Sequence, residues 1–403
     1  MNEKEFYQRL LGVEAPWKVI GVKLDLEQRR VEVEVSCEPA EWVNEAGERA
    51  HVHGYEERQW RHLDTCQCET FIRAKVPRVR YGDGSTKMVR VSWAEDRSRF
   101  TLMFEAFAIR VLLASASLKA GCALLRISWD QAQQIMERAV ARGLGRRKIE
   151  ALRYVGLDEK SFGHGQSFVS LLCDLDQGRV LEVSLSRSFE ATRELWLGLT
   201  QAQRDSIAAV AMDMWDAYLT ATQICVPQAR IVYDKFHVSK ELNTAVDLIR
   251  RKEHQQLLYQ GDQRLTGTRQ WWLMRPERLS EACRGQFDRL VRTQLKAARA
   301  WIARQLFDSF WQSPDLSSAQ EFFSFWYGRA IRSRIPQLKA VAKMLRRHLE
   351  RLLNYILHPI TNAVTEGFNS KIQALRYAAR GFRSFANYRV RILFCCGKLS
   401  MLP

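Results

Sequence analysis

Residues 208–219, AAVAMDMWDAYL, are apolar from Ala208 to Met212 and then present Asp213 and Asp216 where the pattern breaks. A short unbroken apolar run reads as an inner strand buried on both faces. Upstream, RYVGLDE (153–159) reads as a strand, and FVSLLCDLDQGRVLEVSLS (168–186) as two strands joined by a tight turn at Asp176 to Gly178. ATRELWLGLTQAQRDSI (191–207) has the pattern of a helix, and RIVYDKFHV (230–238) offers a fifth strand.

Three meandering strands, a helix, a strand, a helix and a strand is the order of an RNase H-like α/β core. Asp158 follows the first strand and Asp213 the fourth. Neighbouring strands of one sheet end side by side, so two acids there can converge on divalent ions. Rigid strands suit this task, because two Mg²⁺ ions about 4 Å apart must activate a nucleophile and stabilise a leaving oxygen. A third acid comes from TNAVTEGFNSKIQALRYAARGFRSFANYRVRILF (361–394), where Glu366 shares a helical face with Asn362 and Asn369. Lys371, Arg376, Arg380, Arg383, Arg389 and Arg391 follow it, a cationic run suited to phosphate. A lone Asp after a strand is usually a turn residue, and a lone Glu on a helix a solvated one; the combination with the strand order raises both. Glu159 and Asp216 lie near the same place as supporting residues or bystanders.

The totals agree with an anionic partner. The chain has 403 residues, enough for two or three domains, and 62 Lys plus Arg against 45 Asp plus Glu leave a net charge of +17. Nucleic acid is the expected partner, although charge alone sets a class and no mechanism. Nine cysteines show no disulfide spacing, which suits a reducing compartment. MNEKEFYQRLLG (1–12) lacks an apolar targeting core, and the apolar stretches are cut by Arg110 and Lys119. A soluble intracellular protein, without membrane contact, is expected.

Ahead of this core, KVIGVKLDLEQRRVEVEVSCEP (18–39) alternates apolar and charged residues around Glu27-Gln28, the pattern of an antiparallel hairpin. TFIRAKVPRV (70–79) and MVRVSWA (88–94) extend the β character. A helix is expected over 100–113, and SLKAGCALLRISWDQAQQIMERAVARG (117–143) holds two helical stretches around Arg126 to Ser128. Ser128 with Gln131 forms a capping box, so a helix should start at Trp129 and stop at Gly143. Three helices with this tight joint are either an ordinary helical hairpin or a helix-turn-helix. In the second case Asp130, Gln131, Gln134 and Arg138 are the side chains to meet DNA. Residues 240–350 are helical in pattern, and Trp271 and Trp272 within them are expected in the core, with stacking on an unpaired base the other reading.

GLDEKSF (156–162), AMDMWDAY (211–218), IVYDKFHVSKELNTAVD (231–247) and the 360–392 stretch resemble, in order and wording, the DDE transposases of bacterial insertion sequences, in particular the ISL-three group. PWKVIGVKLDL (16–26), QWRHLD (59–64) and VPRVR (76–80) carry the likeness toward the N-terminus. The resemblance implies a DNA transposase in which Asp158, Asp213 and Glu366 are the catalytic, Mg²⁺-holding acids, with Mn²⁺ able to substitute. It implies an all-helical insertion between the second Asp and the Glu, which lie 153 positions apart. DKFH places Asp234 and His237 at an accessory motif of related enzymes. The chemistry implied is hydrolysis at the element's 3′ ends, then attack of the freed 3′-OH on target DNA, with terminal inverted repeats as the bound sequence and a homodimer as the assembly.

On this reading residues 1–98 form a β-rich N-terminal domain resembling a degenerate zinc finger, 99–150 the helix-turn-helix, 151–239 the first part of the core, 240–350 the insertion, and 351–403 the part bearing Glu366. The DNA-binding set is Gln131, Gln134, Arg138, Asn369, Lys371, Arg376, Arg380 and Arg383. The two Cys-x-x-Cys pairs of the family are missing: no Cys lies between Trp42 and Gly47, and Tyr81 and Gly84 stand where the second pair would fall. A structural Zn²⁺ is therefore not expected, with His51, His53, Cys66 and Cys68 as the one substitute set. Two other classes compete: a transposase-derived DNA-binding protein that has lost its chemistry, and a host nuclease.

Overall fold

Alternation of buried valines with charged residues makes Arg30–Cys37 a one-sided strand: Val31, Val33 and Val35 face inward. It pairs antiparallel with Trp17–Asp25, as the sequence pattern anticipates. A computed structural model describes residues 2–43, 49–162, 168–274 and 276–403 of the chain. It divides into two units, Met1–Arg147 with Leu399–Pro403, and Lys148–Lys398.

In the first unit the hairpin continues through Cys68–Arg80 to Arg49–Thr65 and Trp42–Val43, with Thr86–Met88 alongside Cys68–Arg80. Trp17, Trp60 and Trp93 meet edge to face inside this sheet, Trp93 lying 5.1 Å from Trp17 and 5.5 Å from Trp60. Each such pair adds about 0.5–1.5 kcal/mol beyond its burial. The strand Arg49–Thr65 is 17 residues long and escapes sequence reading, since RAHVHGYEERQWRHLDT shows no two-residue alternation. Its partner Cys68–Arg80 imposes the extended form through the ladder. MVRVSWA, expected to be β-like, leaves the ladder after Met88.

Besides Glu3–Leu10, three successive helices complete this unit: Leu102–Ala114, Leu118–Leu125 and Trp129–Gly145, the last running two residues past the expected stop at Gly143. Arg126 breaks the chain in a left-handed conformation between the second and third. The capping box forms: Gln131 N–H donates to Ser128 Oγ at 3.2 Å, and Ser128 N–H donates to Gln131 Oε1 at 2.8 Å. Beneath them Glu105 is buried, and its carboxylate accepts from Arg138 Nε at 2.7 Å and Arg142 Nη2 at 2.9 Å. Removing either arginine would leave a buried charge short of a partner, which is costly.

The second unit is built on a five-stranded sheet ordered Arg230–Tyr233, Ala209–Met212, Tyr154–Ser161, Phe168–Asp174, Arg179–Leu185. The first three are mutually parallel and the last three antiparallel. Helices Phe189–Leu197, Gln201–Asp205 and Asp216–Cys225 make the connections, so the strand order along the chain is the one anticipated, but the single helix expected over 191–207 is two, broken at Gly198 and restarted by the Thr200 capping box. Beyond Tyr233 the reading of RIVYDKFHV needs correction. The strand stops at Tyr233, and Asp234 is the N-cap of a 25-residue helix, Lys235–Tyr259. Among the described residues no strand occurs between Tyr233 and Ala363.

A continuous apolar core joins the sheet to these helices, from Leu157, Val210 and Ile231 through Val246 and Trp272 to Phe307, Trp326 and Leu352. Trp272 is buried and meets Phe287 edge-on at 4.9 Å, whereas Trp271 is half-buried against the same core. Asn354, on helix Leu349–Leu357, donates to the Ile231 carbonyl at 2.8 Å and so occupies part of the sheet's open edge. No described helix is long and apolar enough to cross a membrane.

Candidate active site

Leu157, Met212 and Tyr233 stand in one register row across the three parallel strands. The next residue of each strand is an acid: Asp158, Asp213 and Asp234. With strands about 4.8 Å apart, that row brings three carboxylates to one lip of the sheet. Helix Ala363–Ala378 approaches the same lip, bearing Glu366 in its first turn. Gly156 permits the approach, because a Cβ there would meet Thr365 Oγ1 at 2.7 Å and Leu175 Cδ2 at 2.8 Å.

Asn369 reaches the acids through its side chain and Asn362, the residue capping the helix, through its backbone. Asn369 Nδ2 donates to Asp158 Oδ2 at 2.6 Å, and Asn362 N–H donates to Asp234 Oδ1 at 3.4 Å. Asn369, expected at DNA, thus orients a carboxylate of the site. His237, one turn into its helix, places Nδ1 2.8 Å from Asp213 Oδ1 and 3.4 Å from Asp234 Oδ2.

Charge crowding shows in the protonation equilibria. Burial, reinforced by Asp213, lifts the Asp158 carboxyl to about 7. Burial alone would lower His237, yet its contacts with Asp213 and Asp234 prevail and hold the imidazole up at about 10. Burial and the nearby Asp234 also raise Glu366.

Does this donor set fit a divalent cation? Asn362 Oδ1 and Asn369 Oδ1 are buried oxygens without a hydrogen-bond partner, Asp213 Oδ1 is met by His237 alone, and hard oxygens are what Mg²⁺ or Mn²⁺ takes. Among the described residues no three His, Cys, Asp or Glu side chains enclose an ion as they stand. His237 sits between Asp213 and Asp234 and supplies the compensating positive charge itself.

A second set of contacts, not foreseen from sequence, braces the site. Beyond Met212 the Asp213 loop leaves the sheet, while Tyr154–Ser161 continues with Phe168–Asp174. Arg187 bridges the gap. Its guanidinium lies 4.2 Å from the Trp215 ring and 4.3 Å from that of Phe168, and pairs with Glu159 at 2.9 Å. Trp215 Nε1 donates to the Arg187 carbonyl at 3.0 Å. Glu159 adjoins Asp158 and Trp215 is two residues from Asp213, so one side chain ties both acid-bearing segments together. Asp216 is exposed in the first turn of its own helix, an ordinary place for an acid.

The remaining candidates separate. Lys371 donates to the Cys395 carbonyl at 2.7 Å, and Arg376 to the Ser161 carbonyl at 3.3 Å, whereas Arg380 and Arg383 are exposed. On the first unit's third helix Asp130 and Gln134 are exposed. Gln131 is engaged in the capping box, and Arg138 turns inward to Glu105. The substitute zinc set fails on geometry. Cys66 and Cys68 flank the turn between Arg49–Thr65 and Cys68–Arg80, while His51 pairs with Arg80 at the other end of that hairpin. The 13 positions from His53 to Cys66 span roughly 40 Å of strand.

Comparison with known proteins identifies the family. A family model for the zinc-finger of transposases IS204/IS1001/IS1096/IS1165 matches residues 46–81, and one for the helix-turn-helix domain of transposase family ISL3 matches residues 89–140. The zinc-finger match agrees with a zinc-finger-like N-terminal region and weighs against the expectation that a structural Zn²⁺ is absent. The transposase for insertion sequence element IS1001 of Bordetella parapertussis is 25% identical over 312 residues, 77% of each chain. That for IS1557 of Mycobacterium tuberculosis is 26% identical over 352 residues, 81% of this chain and 79% of its own. The ISL3 transposase model itself matches residues 155–392, more than half of the sequence and all four acids. The protein belongs to the ISL3 family of DDE transposases, DNA-binding enzymes that use a divalent metal.

Proposed function

We propose that the protein binds the terminal inverted repeats of an insertion sequence and cleaves and joins DNA strands at the acidic lip of its second unit. Asp158, Asp213 and Glu366 are the metal-holding acids, and Asp234 and His237 are accessory to them. The observation that carries this reading is the register row: three neighbouring parallel strands carry an acid at one level, Asp213 and Asp234 just past their strand ends and Asp158 within its strand, with the Glu366 helix approaching the same place. The strand order supports an RNase H-like core, and the helices between Tyr233 and Ala363 an insertion within it. The finer domain division, 1–98, 99–150, 151–239, 240–350 and 351–403, belongs to the same proposal.

Bound Mg²⁺, or Mn²⁺ in its place, would activate water or a 3′-OH and stabilise the leaving oxygen. The chain's own residues prepare for this. Asn369 fixes the rotamer of Asp158, and Asn362 restrains Asp234 through its backbone. His237 keeps Asp213 and Asp234 from repelling each other and releases Asp213 to serve as a ligand. Arg380 and Arg383, exposed beyond Glu366, hold backbone phosphates of the strand away from the reacting bond. Duplex DNA is engaged by the helix Trp129–Gly145, with Gln134 exposed on it, and two copies of the chain pair two DNA ends.

The test is nicking of labelled terminal DNA by the full chain. Wild type should cut only with divalent metal present, and Asp213→Asn should lose at least about 100-fold in rate. Equal nicking by Asp213→Asn would remove Asp213 from the site.

A further inference from the structure

At the far end of the Glu366 helix the chain builds a concavity of about 910 Å³ lined by Phe162, Arg376, Tyr377, Arg380, Phe382 and Arg383. Basic and aromatic side chains alternate around it, the composition used to hold single-stranded nucleic acid. We propose that this pocket seats an unpaired nucleotide of the DNA strand, its base stacked on Tyr377 and its flanking phosphates on Arg380 and Arg383. The proposal rests on the transposase reading for the identity of the strand and goes beyond it in assigning a subsite for an unpaired base.

The wall is rigid and the ring is free. Phe162 and Phe382 pack on buried Tyr388, with ring centres 5.2 and 4.8 Å away. Arg376 is anchored to Ser161, at the end of the strand that carries Asp158. Tyr377 is 72% exposed, its hydroxyl held at the rim by Gln373 Nε2 at 2.9 Å. Arg380 and Arg383 make no ion pair with any described residue, so two positive charges beside that ring stand unneutralised. Among the described residues no acid lines the concavity. Its volume lies within the range of about 300–1,000 Å³ common for ligand pockets.

A paired base hides both faces inside the duplex, so only an unpaired or terminal base offers the π-face a tyrosine can cover. Tyr377 follows Glu366 by 11 residues on one helix. That is about 16 Å at 1.5 Å per residue, the length of about five nucleotides in one strand. The subsite therefore falls a few nucleotides from the scissile phosphate, where strand separation must accompany cleavage if the base is to enter.

The experiment uses the full chain with oligothymidine bearing one 5-iodouracil, and with a duplex of random sequence as the comparison. Irradiation should crosslink the iodinated base to Tyr377, located by mass spectrometry. Tyr377→Ala should weaken single-strand binding by about 5- to 150-fold and leave duplex binding within about twofold, while Tyr377→Phe retains both. Arg380→Ala with Arg383→Ala should lower the log–log salt slope on single strands by about 1.4, or 0.7 per lost phosphate contact. Crosslinking elsewhere, unchanged single-strand affinity in Tyr377→Ala, or equal losses on both DNA forms would overturn the proposal. Because Tyr377 is exposed, its variants should keep the wild-type thermal midpoint, which separates a binding defect from misfolding. Metal-dependent nicking of terminal DNA tests the transposase chemistry separately: nicking without the Tyr377 crosslink sinks only the pocket, and the crosslink without nicking sinks only the chemistry.

Discussion

Replacing Arg187 with Ala removes the brace between the two acid-bearing strands, and its consequences can be worked from the contacts. Two ring contacts at 4.2 and 4.3 Å on a partly exposed guanidinium are each worth about 0.5–1 kcal/mol. The Glu159 ion pair at 2.9 Å is about 30% exposed on both sides and adds at most about 1 kcal/mol. The stability loss should therefore be about 1–3 kcal/mol, a fall of several degrees in thermal midpoint for a unit of this size. Activity should suffer more. With the Trp215 ring held only by its hydrogen bond to the backbone carbonyl of residue 187, Asp213 is less firmly fixed relative to Asp158, and losing a supporting contact of this kind typically costs about 10- to 100-fold in metal affinity or rate. Titrating Mn²⁺ into a nicking assay should show the half-saturating concentration rising by that factor. Arg187→Lys should not restore it, because an ammonium cannot lie flat between two rings. An Arg187→Ala enzyme with wild-type metal dependence would refute the reasoning.

Two other consequences are open to measurement. Gly156→Ala should destabilise the second unit by about 1–3 kcal/mol in a urea titration and slow nicking, because its methyl meets Thr365 Oγ1 at 2.7 Å and pushes the Glu366 helix off the sheet; an unchanged unfolding midpoint would show that the helix adapts freely. With its carboxyl raised to about 7, Asp158 favours the folded chain at low pH, and that contribution falls away as pH rises from about 4 to about 7. Mg²⁺ must displace the Asp158 proton, so the gain in thermal midpoint from saturating Mg²⁺ should be larger at pH ~8 than at pH ~6. A gain independent of pH would mean that Asp158 is not a ligand.

Much of both units is legible in sequence because the signals are local. An unbroken apolar run ending in Asp213, a capping box at Ser128, and the spacing of Asn362, Glu366 and Asn369 each specify a strand end, a helix start or a helix face. The strand Arg49–Thr65 is not legible, since its extended form comes from the partner it pairs with. Asp234 reads equally well as a strand end or a helix cap, and the structure makes it both the step after Tyr233 and the start of Lys235–Tyr259. Arg138 has the spacing of a DNA-facing residue, yet the buried Glu105, 33 positions earlier, draws it inward. The Arg187 brace joins positions 159, 168, 187 and 215, which no periodicity connects. Long-range ion pairs and ring stacking leave no pattern in the chain that encodes them.

The most direct measurement is anomalous scattering from Mn²⁺-soaked crystals of the full chain. The account predicts metal peaks within ligand distance of Asp158, Asp213 and Glu366 oxygens, with His237 withdrawn from Asp213. Peaks elsewhere, or none at concentrations that support DNA nicking, would contradict it.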